Sequence, residues 1–204
     1  MVVRRNRAEV REANRRAVLD AAREQFEQHG YHGASLDVIA DRAGFSKGAV
    51  YSRFQGKDDL FLAVLEENIE RRHEASVTQA SAAGGSGVAP LIEQAIRTSV
   101  GSTAWQAALL EFRAHAWRHP QVNERYAELH RRTIESITSL VEEVHRAAGG
   151  EPPMPARDLA VIALATATGL VTEHMSDPSL DTARLAIDMA RAVEATALGD
   201  RSTR

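Results

Sequence analysis

The 204-residue chain contains no cysteine, which removes disulfides, thiolate zinc ribbons and thiol nucleophiles from consideration and is compatible with a reducing cytosol. Its opening, MVVRRNRAEV, has no apolar core of the kind a signal peptide needs, so no export signal is expected. No stretch reads as the roughly 20 apolar residues that span a bilayer, so no membrane span is expected. No period-two alternation is visible, which excludes a sheet-built domain, and there is no internal repeat. Nor is there a phosphate-cradling glycine loop or a pair of carboxylates on facing motifs. The glycine-rich AAGGSG of residues 82–87 holds Ser86, but Val88 stands where a G-x-S-x-G turn needs its last glycine, so the stretch reads as a linker. An enzyme therefore has no support, and no catalytic residue, metal or cofactor is assigned. His115 and His119 have a metal-compatible spacing on one helix. Zinc takes three or four ligands, however, and Glu111, Arg113 and Arg118 crowd the pair.

Lysine is nearly absent, with Lys47 and Lys57 the only two among twenty-five basic residues, and both fall at the starts of predicted helices. The net charge of −3 conceals an asymmetry. Residues 1–57 carry eleven Lys/Arg against seven Asp/Glu, while residues 58–204 carry fourteen against twenty-one. A basic head on an acidic body suits a molecule that presents one end to a polyanion. Arg4, Arg5 and Arg7 form a basic arm that fits either a DNA backbone or minor groove, or a solvated tail.

The head carries its information in residues 34–62, ASLDVIADRAGFSKGAVYSRFQGKDDLFL. Ser35 is placed to cap a short helix whose hydroxyl would accept a first-turn N–H, and Asp37 lies in the first turn, where the dipole favours an anion. Leu36, Ile39, Ala40 and Ala43 recur at helical spacing, and Gly44 ends the helix at a position suited to a left-handed backbone. Phe45 fills the corner. Ser46 caps a second helix, expected over Lys47–Phe54, with Val50 and Phe54 inward and Lys47, Gly48, Ala49, Tyr51, Ser52 and Arg53 outward. That outer set combines a cation, small residues, a hydroxyl, a phenol and a guanidinium, which suits a major groove. Gln55-Gly56 breaks the helix, and Lys57-Asp58-Asp59 opens the next.

The run I-A-x-x-A-G-F-S-x-G-A-x-Y-x-x-F-x-x-K-x-x-L, from Ile39 to Leu60, resembles the DNA-binding domain of TetR-family transcriptional regulators. The resemblance reaches back to Val18–Ala22 and Gly30-Tyr31 and covers about a quarter of the chain. Many members carry His where Arg53 stands, and Leu or Ile where Gln25 stands. The resemblance implies an all-α fold: a three-helix helix–turn–helix domain with its basic arm over residues 1–56, and a helical ligand-binding and dimerisation bundle over 57–204. It implies DNA contacts from Ser35, Ser46, Lys47, Gly48, Ala49, Tyr51, Ser52, Arg53 and Lys57. Ser35, Tyr51, Arg53 and Lys57 would meet phosphate; Lys47 and Ala49 are the base-edge residues.

Beyond the head, helices are expected from Glu12, or as early as Asn6, to Gln28; from Lys57 toward Gln79; from Pro90 to Gly101; from Ser102 to His119; and from Gln121 to Ala148. Two more run over Leu159–Thr172, which carries no charge, and Thr182–Leu198. The last two form a dimer surface over 159–175 and 180–198 or else close the chain's own core; the resemblance favours the dimer. Four of the ten aromatics, Trp105, Phe112, Trp117 and Tyr126, cluster within one short segment. Trp105, Leu109 and Phe112, with His174, are the expected lining of a small-molecule pocket, although each aromatic is also a good core residue. The expected function is an effector-responsive repressor that binds an inverted-repeat operator as a cytoplasmic homodimer, associated with the nucleoid when on DNA. The alternative is an all-helical ligand-binding or scaffolding protein without DNA binding.

Overall fold

The computed structural model describes residues 6–83, 97 and 102–201. Among these the regular structure is entirely helical: α1 (Arg7–Gly33), α2 (Leu36–Ala43), α3 (Lys47–Tyr51), α4 (Lys57–Ala83), α5 (Thr103–Ala116), α6 (Pro120–Ala147), α7 (Ala156–Ser176) and α8 (Thr182–Arg201). The helix expected over residues 90–101 (apart from Arg97), the glycines of the 82–87 linker, and Arg4 and Arg5 lie outside the described residues.

The chain packs as two compact units: Met1–Asn68 with Ala104–Tyr126, and Ile69–Thr103 with Ala127–Arg204. The first unit groups the helix–turn–helix region with the start of α4, with α5 and with the start of α6.

In the first unit, α1 starts at Asn6, whose side chain accepts the Ala8 N–H while Glu9 accepts the Asn6 N–H in return. Val18, Leu19, Ala22 and Phe26 form its buried stripe. Gln25 is also buried, at 2% exposure, so the face the sequence reads as thinly apolar does turn inward. Ile39 and Ala40 of α2, Val50 of α3 and Phe54 meet this core, as do Leu60, Phe61, Val64 and Leu65 of α4. Each large apolar side chain removed from water contributes about 1.5–3 kcal/mol. The α5 residues Trp105, Ala108, Phe112 and Ala116 are buried as well. Phe61 stacks nearly parallel to Phe112 (centroids 4.3 Å apart) and to Trp105 (5.1 Å).

In the second unit, α6 ends at Gly149, whose positive φ of 73° permits the closing bonds from Gly149 N–H to Arg146 and from Gly150 N–H to His145. Ser136 Oγ lies 2.5 Å from His73 Nδ1, tying α6 to α4. Helix α7 is longer than expected at both ends, beginning directly after Pro155 and closing at Asp177. Leu159, Ala160 and Val171 of α7 and Ala186 and Ala190 of α8 are buried. Val161, Ile162, Leu185 and Met189 on the same two helices are exposed.

Helix α7 is more apolar than the sequence reading made it: an 18-residue window within it has a mean hydropathy of 1.3, so by length and composition alone it is the one helix among the described residues that could cross a bilayer. Its small Ala and Thr residues hide this from a search for bulky apolar runs.

Candidate nucleic-acid interface

The reading face is built by two turns. At the end of α2, Gly44 takes φ 76°, ψ 25°; its N–H bonds to Asp41 and the Phe45 N–H to Ala40, which closes the helix and points the chain into α3. Ser46 then caps α3, its hydroxyl accepting the Ala49 N–H at 3.3 Å. Ser35 behaves differently from its sequence reading. It occupies the cap position of α2 with extended backbone, but its hydroxyl makes no capping bond. The helix starts through the Ile39 N–H to Ser35 carbonyl bond, with Asp37 in its first turn.

Helix α3 is also shorter than the expected Lys47–Phe54, ending at Tyr51. Ser52 Oγ donates to the Ala49 carbonyl, and the Arg53 N–H bonds to Val50 at the tighter three-residue spacing. A hydroxyl that competes for backbone carbonyls shortens a helix in this way. The partition of side chains is as expected. Val50 and Phe54 are buried, while Lys47, Gly48, Ala49, Tyr51, Ser52 and Arg53 are exposed, Tyr51 by 50%. One contiguous outward face thus carries six of the nine residues assigned to DNA.

The cations of this region are engaged within the protein. Lys57 Nζ donates to the His32 carbonyl at 2.8 Å and the Ala34 carbonyl at 3.3 Å, and lies 4.9 Å from the Tyr31 ring centre. It closes the link between α1 and α2, and burial pulls its pKa below the usual lysine range. Arg53 donates to the Arg11 carbonyl at 3.3 Å. Lys47 pairs with Asp37, Nζ to Oδ2, at 2.5 Å. That carboxylate is a neighbour the sequence reading missed, because it assigned Asp37 only to the helix dipole.

Comparison with known proteins agrees with this geometry. Residues 18–64 match the model of bacterial regulatory proteins of the tetR family, and residues 87–198 match the BetI-type transcriptional repressor C-terminal model, which spans more than half of the chain. The chain belongs to the TetR family. Over 60 residues, 29% of this chain and 27% of the relative, it is 47% identical to the HTH-type transcriptional activator FasR of Mycolicibacterium smegmatis. The matched segments of this and the other leading curated relatives span only about a quarter to a third of those proteins. A TetR-family regulator from Mesorhizobium loti shares the fold with a TM-score of 0.71 at 21% identity, over 94% of this chain and 98% of that one. The regulator FadR of Bacillus subtilis, solved with stearoyl-CoA, matches with a TM-score of 0.60 at 16% identity, over 87% and 96% of the two chains.

The TetR-family head is gripped by α5. Glu111 accepts the His32 N–H at 3.0 Å, and its carboxylate packs against Gly30, the kink in α1. Phe112 meets Tyr31 edge-on at 5.2 Å. The Tyr31 hydroxyl donates to Asp58, and burial with that carboxylate nearby pushes the phenol above its ordinary range. Arg125 pairs with Asp59. Trp105 and Phe112, two of the residues assigned to an effector pocket, are therefore packed against Phe61; Leu109 beside them is half-buried. His174 belongs to the second unit, where Nδ1 lies 3.2 Å from the Leu180 carbonyl at the α7–α8 turn. Among the described residues no group of three or more His, Cys, Asp or Glu is arranged to hold a metal ion.

Proposed function

We propose that this TetR-family protein is a transcriptional repressor that reads an inverted-repeat operator as a homodimer and leaves it when a small molecule binds. The observation that carries the reading is the exposed face of α3, Lys47 to Arg53, held rigid from behind by buried Val50 and Phe54. Lys47 and Ala49 read base edges, with Lys47 donating to guanine and Ala49 touching a thymine methyl. Gly48 lets the backbone approach; among the described residues a Cβ there would meet nothing within 4 Å. Ser35, Ser46, Tyr51, Ser52 and Arg53 position the head on phosphates. Lys57 keeps its third N–H for a phosphate while holding two carbonyls. Repression rather than activation rests on the match of the body to a repressor model, since the FasR likeness covers only the head. The protein acts in the cytoplasm, at the nucleoid when on DNA.

The second copy docks through 159–175 and 180–198. Only 17% of the apolar window of α7 is buried within the chain, so a helix of this hydropathy gains from a partner's cover. The effector is sensed through Trp105, Leu109 and Phe112 on α5. Because Trp105 and Phe112 stack on Phe61, a ligand that shifts α5 also shifts the start of α4, and it releases DNA by as much as it prefers the shifted state.

Selection of bound duplexes from a random pool tests the reading, and an inverted repeat is the expected product. Tyr51→Ala should lower affinity about equally across sequences, whereas Lys47→Ala should change preference at one base pair by ~1–3 kcal/mol. A wild-type protein that enriches no sequence overturns the DNA-reading function.

A further inference from the structure

We infer that Asp37 is a specificity-determining residue of the reading head, which acts by positioning Lys47; the inference rests on the DNA-binding function proposed above. Asp37 stands in the first turn of α2 and Lys47 at the first position of α3, ten residues later, across the Gly44 turn. Their charged atoms lie 2.5 Å apart, with the side chains 57% (Lys47) and 47% (Asp37) exposed. Asp41, one helical turn beyond Asp37, adds a second carboxylate to the field around the ammonium, and Tyr51 is the other titratable neighbour. Lys57 and Arg53 are held by backbone carbonyls, which are neutral; Lys47 is held by a formal charge.

The physical consequence is selective. An ammonium has three N–H donors and turns freely on a flexible stem. On an arbitrary sequence, a phosphate competes with Asp37 for the Lys47 ammonium, and the carboxylate repels the polyanion with no base contact to offset it. At a site that offers a guanine O6 or N7 within reach, Lys47 donates to the base and keeps Asp37 on another N–H. The carboxylate therefore penalises non-specific binding more than cognate binding. This is discrimination by a repulsive element rather than by an added attraction. It also fixes where the ammonium points, which a free lysine on an exposed helix end does not do for itself.

The experiment uses the full-length protein, the duplex it selects and a scrambled duplex of equal length, titrated over a range of salt. Asp37→Asn keeps the side-chain size and frees Lys47. Affinity for the scrambled duplex should rise several-fold more than for the selected one, so the cognate-to-scrambled ratio falls. Freed to neutralise one more phosphate, Lys47 should steepen the scrambled-duplex log–log salt slope by about 0.9. In a Lys47→Ala background the same Asp37→Asn change should leave the ratio unmoved, because the effect passes through the lysine. Thermal melting of each variant separates a folding defect from these readouts. An unchanged ratio and slope in Asp37→Asn, with wild-type selection intact, overturns the inference and leaves the DNA-reading function standing. So does an Asp37→Asn effect that persists in full without Lys47, since the carboxylate would then act through bulk charge. A wild-type protein that selects no duplex overturns both.

Discussion

Gly30 and Gln25 show how much of the first unit hangs on single positions of α1. Gly30 takes φ 68°, ψ 177°, a conformation open to glycine alone, and a Cβ there would sit 2.5 Å from Glu111 Oε1. The kink lets Tyr31 turn in toward Asp58 and offers the His32 N–H to Glu111. Gly30→Ala should therefore destabilise the protein by about 1–3 kcal/mol, read as a lower midpoint in denaturant. A variant as stable as wild type would show that the kink is not held. Gln25 presents the opposite case. It is buried, and among the described residues its Nε2 has no hydrogen-bond partner. An unsatisfied buried amide costs about 1–3 kcal/mol, so Gln25→Leu should raise stability by an amount in that range while DNA affinity stays the same. Loss of stability on that change would mean the amide is bonded after all.

At the scale of the element, α5 is more than a wall of the body. Through Glu111, Phe112 and His115 it holds the corner of α1 and the start of α4 at once. His115 Nε2 lies 3.2 Å from Asp58 Oδ1. His32 faces the same ring from α1 at 6.0 Å, and His119 stacks on it from the turn between α5 and α6 at 4.0 Å. Burial, with smaller contributions from His119 and His32, holds the His115 pKa below its ordinary value even though Asp58 pulls the other way. A histidine kept neutral in the fold binds fewer protons than in the unfolded chain, so its contribution to stability is complete above about pH 6.5 and is lost as pH falls toward the folded-state pKa. Denaturant midpoints at pH 7 and pH 5.5 should show this loss, and His115→Gln should reduce the difference between the two. An unchanged difference would assign the acid sensitivity to other groups.

At the scale of the whole molecule, the proposed function needs two heads, and in the proposed dimer α7 with α8 would bring them together. Val161, Ile162, Leu185 and Met189 are exposed, and Gly169 lies between them in sequence with open space around its Cα. A Cβ at 169 would meet nothing within 4 Å among the described residues, and leucine is the better helix former, so Gly169→Leu should fold normally. It should nonetheless shift sedimentation toward the monomer and weaken operator binding, because a partner helix can no longer approach closely. A variant that stays dimeric would move the interface elsewhere. With both heads seated, operator affinity should fall steeply between low and moderate salt, about 0.9 in log–log slope per phosphate neutralised.

What the sequence determined by itself is local. The α2–turn–α3 unit could be read because its signals are a glycine with a left-handed backbone, a serine cap and apolar residues three and four apart, all of which act within a few residues. The family followed from the same run, and the outward partition of Lys47 to Arg53 from the inward spacing of Val50 and Phe54. What only the tertiary structure decided involves partners far apart in the chain. Lys57 spends two donors on the His32 and Ala34 carbonyls, Tyr31 reaches Asp58, Glu111 fills the space beside Gly30, and Trp105 and Phe112 stack on Phe61. Periodicity says which face of a helix is buried but not which helix covers it, and a lysine at a helix start looks the same whether a carbonyl, a carboxylate or a phosphate waits for it.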